Sequence, residues 1–369
     1  MNVLITGSNG FVAKNLIERL SSLDDIEIMQ FDRNHSQIEL EEMVLRADFI
    51  YHLAGVNRPK DSQEFYDGNS ALTKQIVDIL ISNDKNTPIV MTSSIQATRD
   101  NDYGKSKLQA ENELKRYSDT MGATVYIYRL PNVFGKWSKP NYNTVIATWC
   151  HNITRDLPIQ INDENVQLQL VYIDDVVMDF VKHLDDNATK GIIYPQVMPI
   201  YQKTLGEIKM LLDEFKSSRE TLFVQKVGKG FERALYATYL SFLPKEKFSY
   251  ELKGYADERG TFYEFIKTID SGQFSISTTQ PGITRGEHYH NTKNEKFLVL
   301  KGKASIKHRN IYSDEVIEYV VSDQKMEVVE MIPGYTHNIT NIGDDVMILL
   351  IWANETFDRN NPDTYFLKV

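Results

Sequence analysis

Through the first half of the chain, short apolar runs alternate with amphipathic stretches. NVLITG (2–7) is followed by a helical pattern near 11–22, then IEIMQFD (26–32) and ADFIYHLAG (47–55). A helical pattern near 69–82 precedes PIVMTSS (88–94), and another near 103–120 precedes TVYIYRL (124–130). Apolar runs that are continuous rather than alternating belong to strands buried on both faces, so the pattern predicts a parallel sheet covered by helices. That is a doubly wound α/β fold, a Rossmann arrangement with ligand sites at the carboxyl ends of its strands. Past the helical stretch FERALYATYLSFLP (231–244) the period changes. FYEFIK (262–267), GQFSISTT (272–279), KFLVLKG (296–302), KASIKHR (303–309), EVIEYVV, KMEVVEMI and DVMILLIWA are short runs punctuated by Gly, Asn and Asp. They predict an antiparallel sandwich or barrel. The expected organisation is an α/β domain over 1–244 and an all-β domain over 245–369, with no long linker.

A chain of 369 residues is longer than one ordinary core, which agrees with two domains. No run is apolar for the roughly 18–20 residues that a membrane span needs, so no membrane partner is expected. The single cysteine, Cys150, has no internal partner for a disulfide. The first strand begins almost at Met1, without the basic and apolar regions of a signal peptide, so a cytoplasmic protein is expected. The net charge of −10 argues against a general nucleic-acid partner. It leaves room for an anionic small substrate held by a local cluster of cations and N–H groups.

Two features of the first domain carry chemistry. The first strand ends in Gly7-Ser-Asn9-Gly10-Phe11-Val12-Ala13 and runs into a helix. Glycines let backbone turn tightly against a pyrophosphate, and the small residue lets the helix pack close. Such a loop is also an ordinary strand-to-helix turn; its place at the first junction favours a dinucleotide. Asp32 ends the second strand, where a carboxylate meets an adenosine ribose, and Arg33 could neutralise a 2′-phosphate, which favours NADPH over NADH. The second feature is Tyr103 and Lys107, four apart at the start of a helix and so on one face. An ammonium beside a phenol is expected to lower the phenol pKa from about 10 towards neutrality, so that it can exchange a proton with a carbonyl or alcohol oxygen. Ser93 and Ser94 end the preceding strand and could bond the same oxygen.

Residues 1 to about 243 resemble an extended short-chain dehydrogenase/reductase of the branch that acts on nucleotide sugars. The resemblance rests on the loop, the Tyr/Lys pair, HLAG (52–55), Asn69 after Tyr66, RLPNVFG (129–135) and VYIDDVV (171–177). It implies that Gly7, Asn9, Gly10, Phe11, Val12, Asp32, Arg33, Leu53, Ala54 and Gly55 meet the cofactor, together with Tyr103 and Lys107. It also implies that Ser94 is the catalytic serine beside Tyr103 and Lys107, and that Asn132 to Phe134 meet nicotinamide and substrate. Only eight residues separate Ser94 from Tyr103, a shorter loop than relatives usually carry.

In the second domain His288 and His290 form H-x-H, which places both imidazoles on one face of a strand. Glu295 and His337 can complete a site for a first-row divalent metal. The frame Gly282, His288, His290, Glu295, Gly302, then Pro333-Gly334, His337 and Asn341 resembles both halves of the cupin (jelly-roll barrel) signature. A nitrogen and oxygen ligand set favours zinc, with nickel, iron and manganese compatible. The segments 257–265, with Arg259 and Glu264, and Arg285-Gly286-Glu287-His288 resemble the nucleotide-sugar keto-epimerases of the cupin class. That resemblance implies that Arg259, Glu264 and Arg285 meet the substrate and that His288 is the general base. Those epimerases usually lack a metal, so His288 is both a candidate ligand and a candidate base. The alternative for Arg259 and Glu264 is a surface pair on a strand.

In this domain order the whole chain resembles the bifunctional enzymes of bacterial capsular polysaccharide synthesis. The resemblance implies that the cupin domain epimerises C3 of a UDP-linked 4-keto-6-deoxy amino sugar. The reductase domain would then reduce C4 with NADPH to UDP-2-acetamido-2,6-dideoxy-β-L-talose, a precursor of N-acetyl-L-fucosamine. A homodimer is implied as well. The alternatives are a single-activity reductase whose cupin is a metal-stapled dimerisation or binding module, and a non-catalytic NADP(H) sensor.

Overall fold

The first strand, β1 (Asn2–Thr6), is buried from Val3 to Thr6 because it is an inner strand of a sheet covered by helices on each face. The computed structural model describes residues 1–57, 61–142, 144–186 and 188–369. Within them the chain separates into two compact units, Met1–Leu212 with Ala234–Pro244, and Asp213–Arg233 with Lys245–Val369.

In the first unit β2 (Glu27–Phe31), β3 (Phe49–His52), β4 (Ile89–Ser94), β5 (Val125–Leu130) and the short β8 (Ile192–Ile193) complete a parallel sheet ordered β2-β1-β3-β4-β5-β8. The strand order reverses between β1 and β3, and in open α/β sheets the crevice outside the carboxyl ends at that point holds the ligand. Leu4, Ile50, Ile89 and Ile127 from the sheet pack with Leu40, Ile76, Leu80 and Leu114 from the helices in one core. The expected helices are present as Phe11–Leu20, Leu72–Ser82 and Asp102–Met121. A further helix, Gln37–Arg46, starts at a capping box in which Ser36 and Glu39 satisfy each other's backbone N–H. Its buried residues are Leu40 and Val44, while Ile38 on the same helix is exposed, so its apolar pattern does not trace one clean face. A second sheet of β6 (Asn132–Phe134), β7 (Gln167–Tyr172) and β9 (Tyr201–Thr204) carries Asn132 to the same end of the unit as the cleft described below.

The second unit is β-rich, as expected. One sheet is ordered β10-β12-β13-β20-β15-β18, from β10 (Phe223–Val224), β12 (Gly260–Thr268), β13 (Gln273–Thr279), β20 (Met347–Ala353), β15 (Glu295–Lys301) and β18 (Val328–Met331). The strand β11 (Gly254–Asp257) pairs with β12. The other sheet is ordered β17-β16-β19-β14-β21, from β17 (Val316–Ser322), β16 (Lys303–Asn310), β19 (Tyr335–Asn341), β14 (Thr284–Tyr289) and β21 (Tyr365–Phe366). Phe297, Val299, Ile306, Ile339 and Leu349 form the apolar core of this unit. On β13 the buried side chains are polar: Gln273, Ser275, Ser277 and Thr279 face inward, while Phe274 is 37% exposed.

Candidate active site and candidate metal centre

The loop after β1 turns at Gly7, whose φ is +68°, and a Cβ there would lie 2.7 Å from Ala54 Cα. Glycine is therefore required twice over, by backbone conformation and by the close approach of the loop after β3. The Gly10 N–H closes the turn on the Gly7 carbonyl at 2.8 Å, and Gly10 caps the helix Phe11–Leu20. The free N–H groups of that first helical turn open onto a cleft of about 1440 Å³. Asn9, Gly10, Phe11, Val12, Leu53, Gly55, Ser94, Tyr103, Lys107 and Asn132 all line it. Gly7 and Ala54, packed against each other, do not line it. Asp32 accepts the Asn9 amide and the Asn34 N–H, while Arg33 is exposed; neither lines the cleft.

The helix Asp102–Met121 starts at Asn101, whose side chain accepts the Gly104 N–H at 2.7 Å. This N-cap sets the first turn, and Tyr103 and Lys107 come from it onto one face. Of the eight residues between Ser94 and Tyr103, the first four form a 3₁₀ turn, Ile95–Thr98, capped by Ser94 itself. Short as it is, the connection brings the Ser94 hydroxyl to the Tyr103 phenol. The Ser93 hydroxyl instead donates to Glu111 at 2.5 Å. Burial raises the Tyr103 pKa, Ser94 partly offsets that, and Tyr142 adds to the rise. This corrects the expectation of a lowered phenol: Lys107 is itself buried, and its amine donates to the Thr92 carbonyl at 3.2 Å. Burial brings the Lys107 ammonium down to about 8, against the opposing effect of Glu111. Asn69, in a π-helical turn over Asp67–Ala71, holds Val56 and Ser106 and so fixes this helix against the loop after β3.

In the second unit His288, His290, Glu295 and His337 converge, each offering a ligand atom within 4.8 Å of the others. His290 Nε2 and His337 Nε2 lie 3.5 and 3.6 Å from Glu295 Oε2. Both nitrogens are buried without a hydrogen-bond partner. Two orphaned imidazole nitrogens facing one carboxylate are the arrangement that a divalent metal would satisfy, so the residues fit the ion. His288 comes from the edge of a β-bulge at Gly286–Glu287. Gly286 has φ +97° and a Cβ there would meet the His337 carbonyl at 2.8 Å, so the bulge depends on glycine. Burial, then His337 and His290, push His288 down to about 4.

Arg259 and Arg285 both face Asp257: Arg259 binds it at 2.5 Å and Arg285 Nη2 lies 3.8 Å away. These arginines, chiefly Arg259, hold the Asp257 carboxyl at about 2. Glu264 is not joined to them and pairs with Lys267 at 2.9 Å.

Residues 3–194 match the NAD dependent epimerase/dehydratase family, and residues 255–365 match the polysaccharide biosynthesis C-terminal domain. A Pseudomonas aeruginosa protein described as UDP-2-acetamido-2,6-beta-L-arabino-hexul-4-ose reductase is 52% identical over 100% of this chain and 99% of its own length. The chain belongs to the NAD dependent epimerase/dehydratase family. Within that family it is similar along its whole length to CapF, the capsular polysaccharide assembling protein of Staphylococcus aureus, at 52% identity and a TM-score of 0.93, covering 100% of each chain. A UDP-glucuronic acid 4-epimerase from Bacillus cereus, solved with NAD, shares the fold of the first unit: TM-score 0.55, 17% identity, 66% of this chain and 98% of that one. An NAD dependent epimerase/dehydratase needs a nicotinamide cofactor, and open α/β sheets hold such ligands in the crevice at the switch point.

Several residues around these sites carry no motif. Glu111, one turn past Lys107 on the same face, is buried and bound by Arg129 at 2.6 Å; the i, i+4, i+8 spacing was its signal. Trp137, Lys139 and Tyr142 line the cleft just after RLPNVFG. His308, buried on β16 opposite His337, continues the inward face of KASIKHR. Among the described residues, no helix is long and apolar enough to cross a membrane.

Proposed function

We propose that this family member is a bifunctional nucleotide-sugar enzyme of capsular polysaccharide (N-acetyl-L-fucosamine) biosynthesis. Its first unit reduces the C4 ketone of a UDP-linked 4-keto-6-deoxy amino sugar with NADPH, and its second, cupin unit epimerises C3 beforehand. The observation that carries the reading is the convergence of Tyr103, Ser94 and Lys107 in the cleft that opens from the glycine loop, with partial burial raising the Tyr103 phenol pKa. A reductase needs an acid at the ketone oxygen, and a raised pKa keeps the proton on Tyr103 Oη until an oxyanion develops. Ser94 Oγ donates to the same oxygen and aligns it. Lys107, behind them, supports that charge with its ammonium. NADPH, when bound, supplies the hydride. The substrate class rests on the full-length relatives, and Asn132, Arg259, Glu264 and Arg285 are its proposed contacts.

In the cupin unit, loss of the C3 proton α to the C4 ketone gives an enolate, and return of a proton to the opposite face inverts the centre. His288 is the proposed base: it stands at the open side of the cluster, half-buried, whereas His290 and His337 are buried. His290, Glu295 and His337 would then hold the metal, most suitably zinc. When bound, the ion supplies Lewis-acid stabilisation of an oxyanion, or a structural staple. The epimers are ketones of similar stability, so reduction at C4 draws the mixture forward. A homodimer belongs to the same reading: the edge strand β17 exposes Val316, Ile317, Tyr319 and Val320, a surface that a second copy could cover.

The test is NMR of the product formed from a UDP-4-keto-6-deoxy-HexNAc and NADPH in D2O. The proposal expects solvent deuterium at C3 and cofactor-derived hydrogen at C4. Reduction without deuterium at C3 leaves the single-activity reductase, a reading favoured by the Pseudomonas relative's description, which mentions a reductase alone.

A further inference from the structure

The ligand His290 is held from far along the chain. Its Nδ1 meets the backbone carbonyl of Asp363 at 2.6 Å. A carbonyl only accepts, so Nδ1 carries the proton and the lone pair is left on Nε2, the atom that faces Glu295. The Asp363 carboxylate clasps the turn after His290. One oxygen accepts the Asn291 N–H at 3.1 Å; the other accepts the Thr292 and Lys293 N–H groups at 2.9 and 2.8 Å. The buried Lys293 closes the clasp by donating to the Pro362 carbonyl at 2.6 Å.

The segment that follows is tied to the strands carrying the other histidines. The residues of β21 pair with β14, Tyr365 with Tyr289 and Phe366 with His288. The Leu367 N–H donates to the Glu287 carbonyl at 3.0 Å, and the Val369 N–H to the Glu287 carboxylate at 2.9 Å. Thr336, next to His337, donates to the Leu367 carbonyl, and Arg309 donates to the Lys368 carbonyl at 2.6 Å. Glu287 is the bulge residue, with φ +63°, so the strap grips the point that aims His288.

We propose that residues 362–369 form a positioning strap for the metal centre, with Asp363 as its clasp. The strap fixes the tautomer and direction of His290 through a main-chain carbonyl. It also holds β14 and β19 in the register that brings His288 and His337 to Glu295. Asp363 is a positioning residue and touches neither the ion nor the sugar. Because the acceptor is a main-chain carbonyl, the path of the strap, set by the Asp363 clasp, is what positions this ligand. The proposal rests on the metal reading above.

The test uses the full-length protein stripped of metal, with Zn²⁺ affinity read by competition against a chromophoric chelator and Co²⁺ absorption as the signature of ligand geometry. Wild type and His290→Ala first test the metal reading itself: if wild type binds no more tightly than His290→Ala, that reading fails, and the strap with it. Given wild-type binding, Asp363→Ala is expected to lose about 10- to 100-fold in affinity, the usual effect of removing a partner that orients a ligand, and to weaken and shift the Co²⁺ bands. Asp363→Asn, which keeps an oxygen acceptor for the turn, is expected to recover most of the loss. A chain ending at Thr364 keeps Asp363 but removes its tether, and provides the answer if Asp363→Ala does not fold. It too should bind more weakly. Wild-type affinity and an unchanged Co²⁺ spectrum in the shortened chain, or in a folded Asp363→Ala, would overturn the proposal.

Discussion

Ser93 donates its hydroxyl hydrogen to the buried carboxylate of Glu111 at 2.5 Å, and so is committed to the helix rather than to a ligand. Its neighbour Ser94 is the serine that reaches Tyr103. The two substitutions should therefore behave differently. Ser94→Ala and Tyr103→Phe are expected to lower kcat with little change in cofactor binding, Tyr103→Phe by the roughly 10²- to 10⁴-fold that a general acid contributes. Ser93→Ala should act on stability, by about 1–3 kcal/mol, because it leaves a buried carboxylate one partner short. Steady-state kinetics with a thermal melt separate the two effects. Unchanged turnover in Tyr103→Phe removes it as the acid.

Glu111 also faces Lys107, whose ammonium burial holds at about 8. If the charged ammonium assists reduction, the rate should fall as pH rises through about 8. The Glu111 anion opposes that loss of charge, so Glu111→Gln should move the alkaline limb to lower pH. The amide can keep its hydrogen bond to Ser93, although it gives up the charge that pairs with Arg129. A pH profile of kcat/KM for both proteins checks the direction; a limb that moves to higher pH would contradict it.

The parallel sheet was legible because buried strands such as VLIT and IVM have no polar face to confuse the period. The glycine loop and the Tyr/Lys spacing were legible because their chemistry is local. The helix Gln37–Arg46 was not, since of its apolar residues only Leu40 and Val44 are buried, Met43 packs at the edge of the core and Ile38 points to solvent, which blurs the period. On β13 the alternation misleads outright: Gln273, Ser275 and Ser277 turn inward and Phe274 outward, because the inside of this unit is partly polar. Asp363 was invisible for a different reason. It acts on His290 through a backbone carbonyl, and a carbonyl leaves no trace in residue type. The raised phenol pKa was not legible because spacing shows that Lys107 shares a face with Tyr103, but not that Lys107 is buried and Tyr103 half-buried.

His52, the first residue of HLAG, is buried between Thr6 and Thr73, with ring nitrogens 2.7 and 2.8 Å from their hydroxyls. Burial, with Lys107 nearby, lowers it to about 3. The folded chain therefore holds His52 neutral where the unfolded chain, with an ordinary imidazole near 6.5, binds a proton. Stability from this group is complete above pH 6.5 and is lost as pH falls towards about 3, with a slope of at most roughly 1.4 kcal/mol per pH unit. His52→Gln should be less stable at pH 7 yet less sensitive to acid between those limits. Urea unfolding at several pH values measures it, and parallel stability curves for the two proteins would exclude this role.

At the candidate metal centre the four residues are not equivalent. His290 and His337 are buried and turn otherwise unpartnered nitrogens to Glu295, while His288 is half-buried and lies on the bulge. Elemental analysis should thus find metal in the wild type and lose it in His290→Ala and His337→Ala. His288→Ala should keep most of its metal but stop incorporating deuterium at C3 of a 4-keto sugar nucleotide in D2O. A metal ligated by His288 as firmly as by the others would make all three variants lose the ion together. In that case the C3 proton must go to another group, and His308, buried opposite His337, is the next residue to replace. An ion that binds only the folded chain also stabilises it in proportion to the logarithm of its concentration. Chelation should therefore lower the melting temperature of the wild type and leave that of His337→Ala unchanged. A melt of the variant that still responded to chelator would place the ion elsewhere.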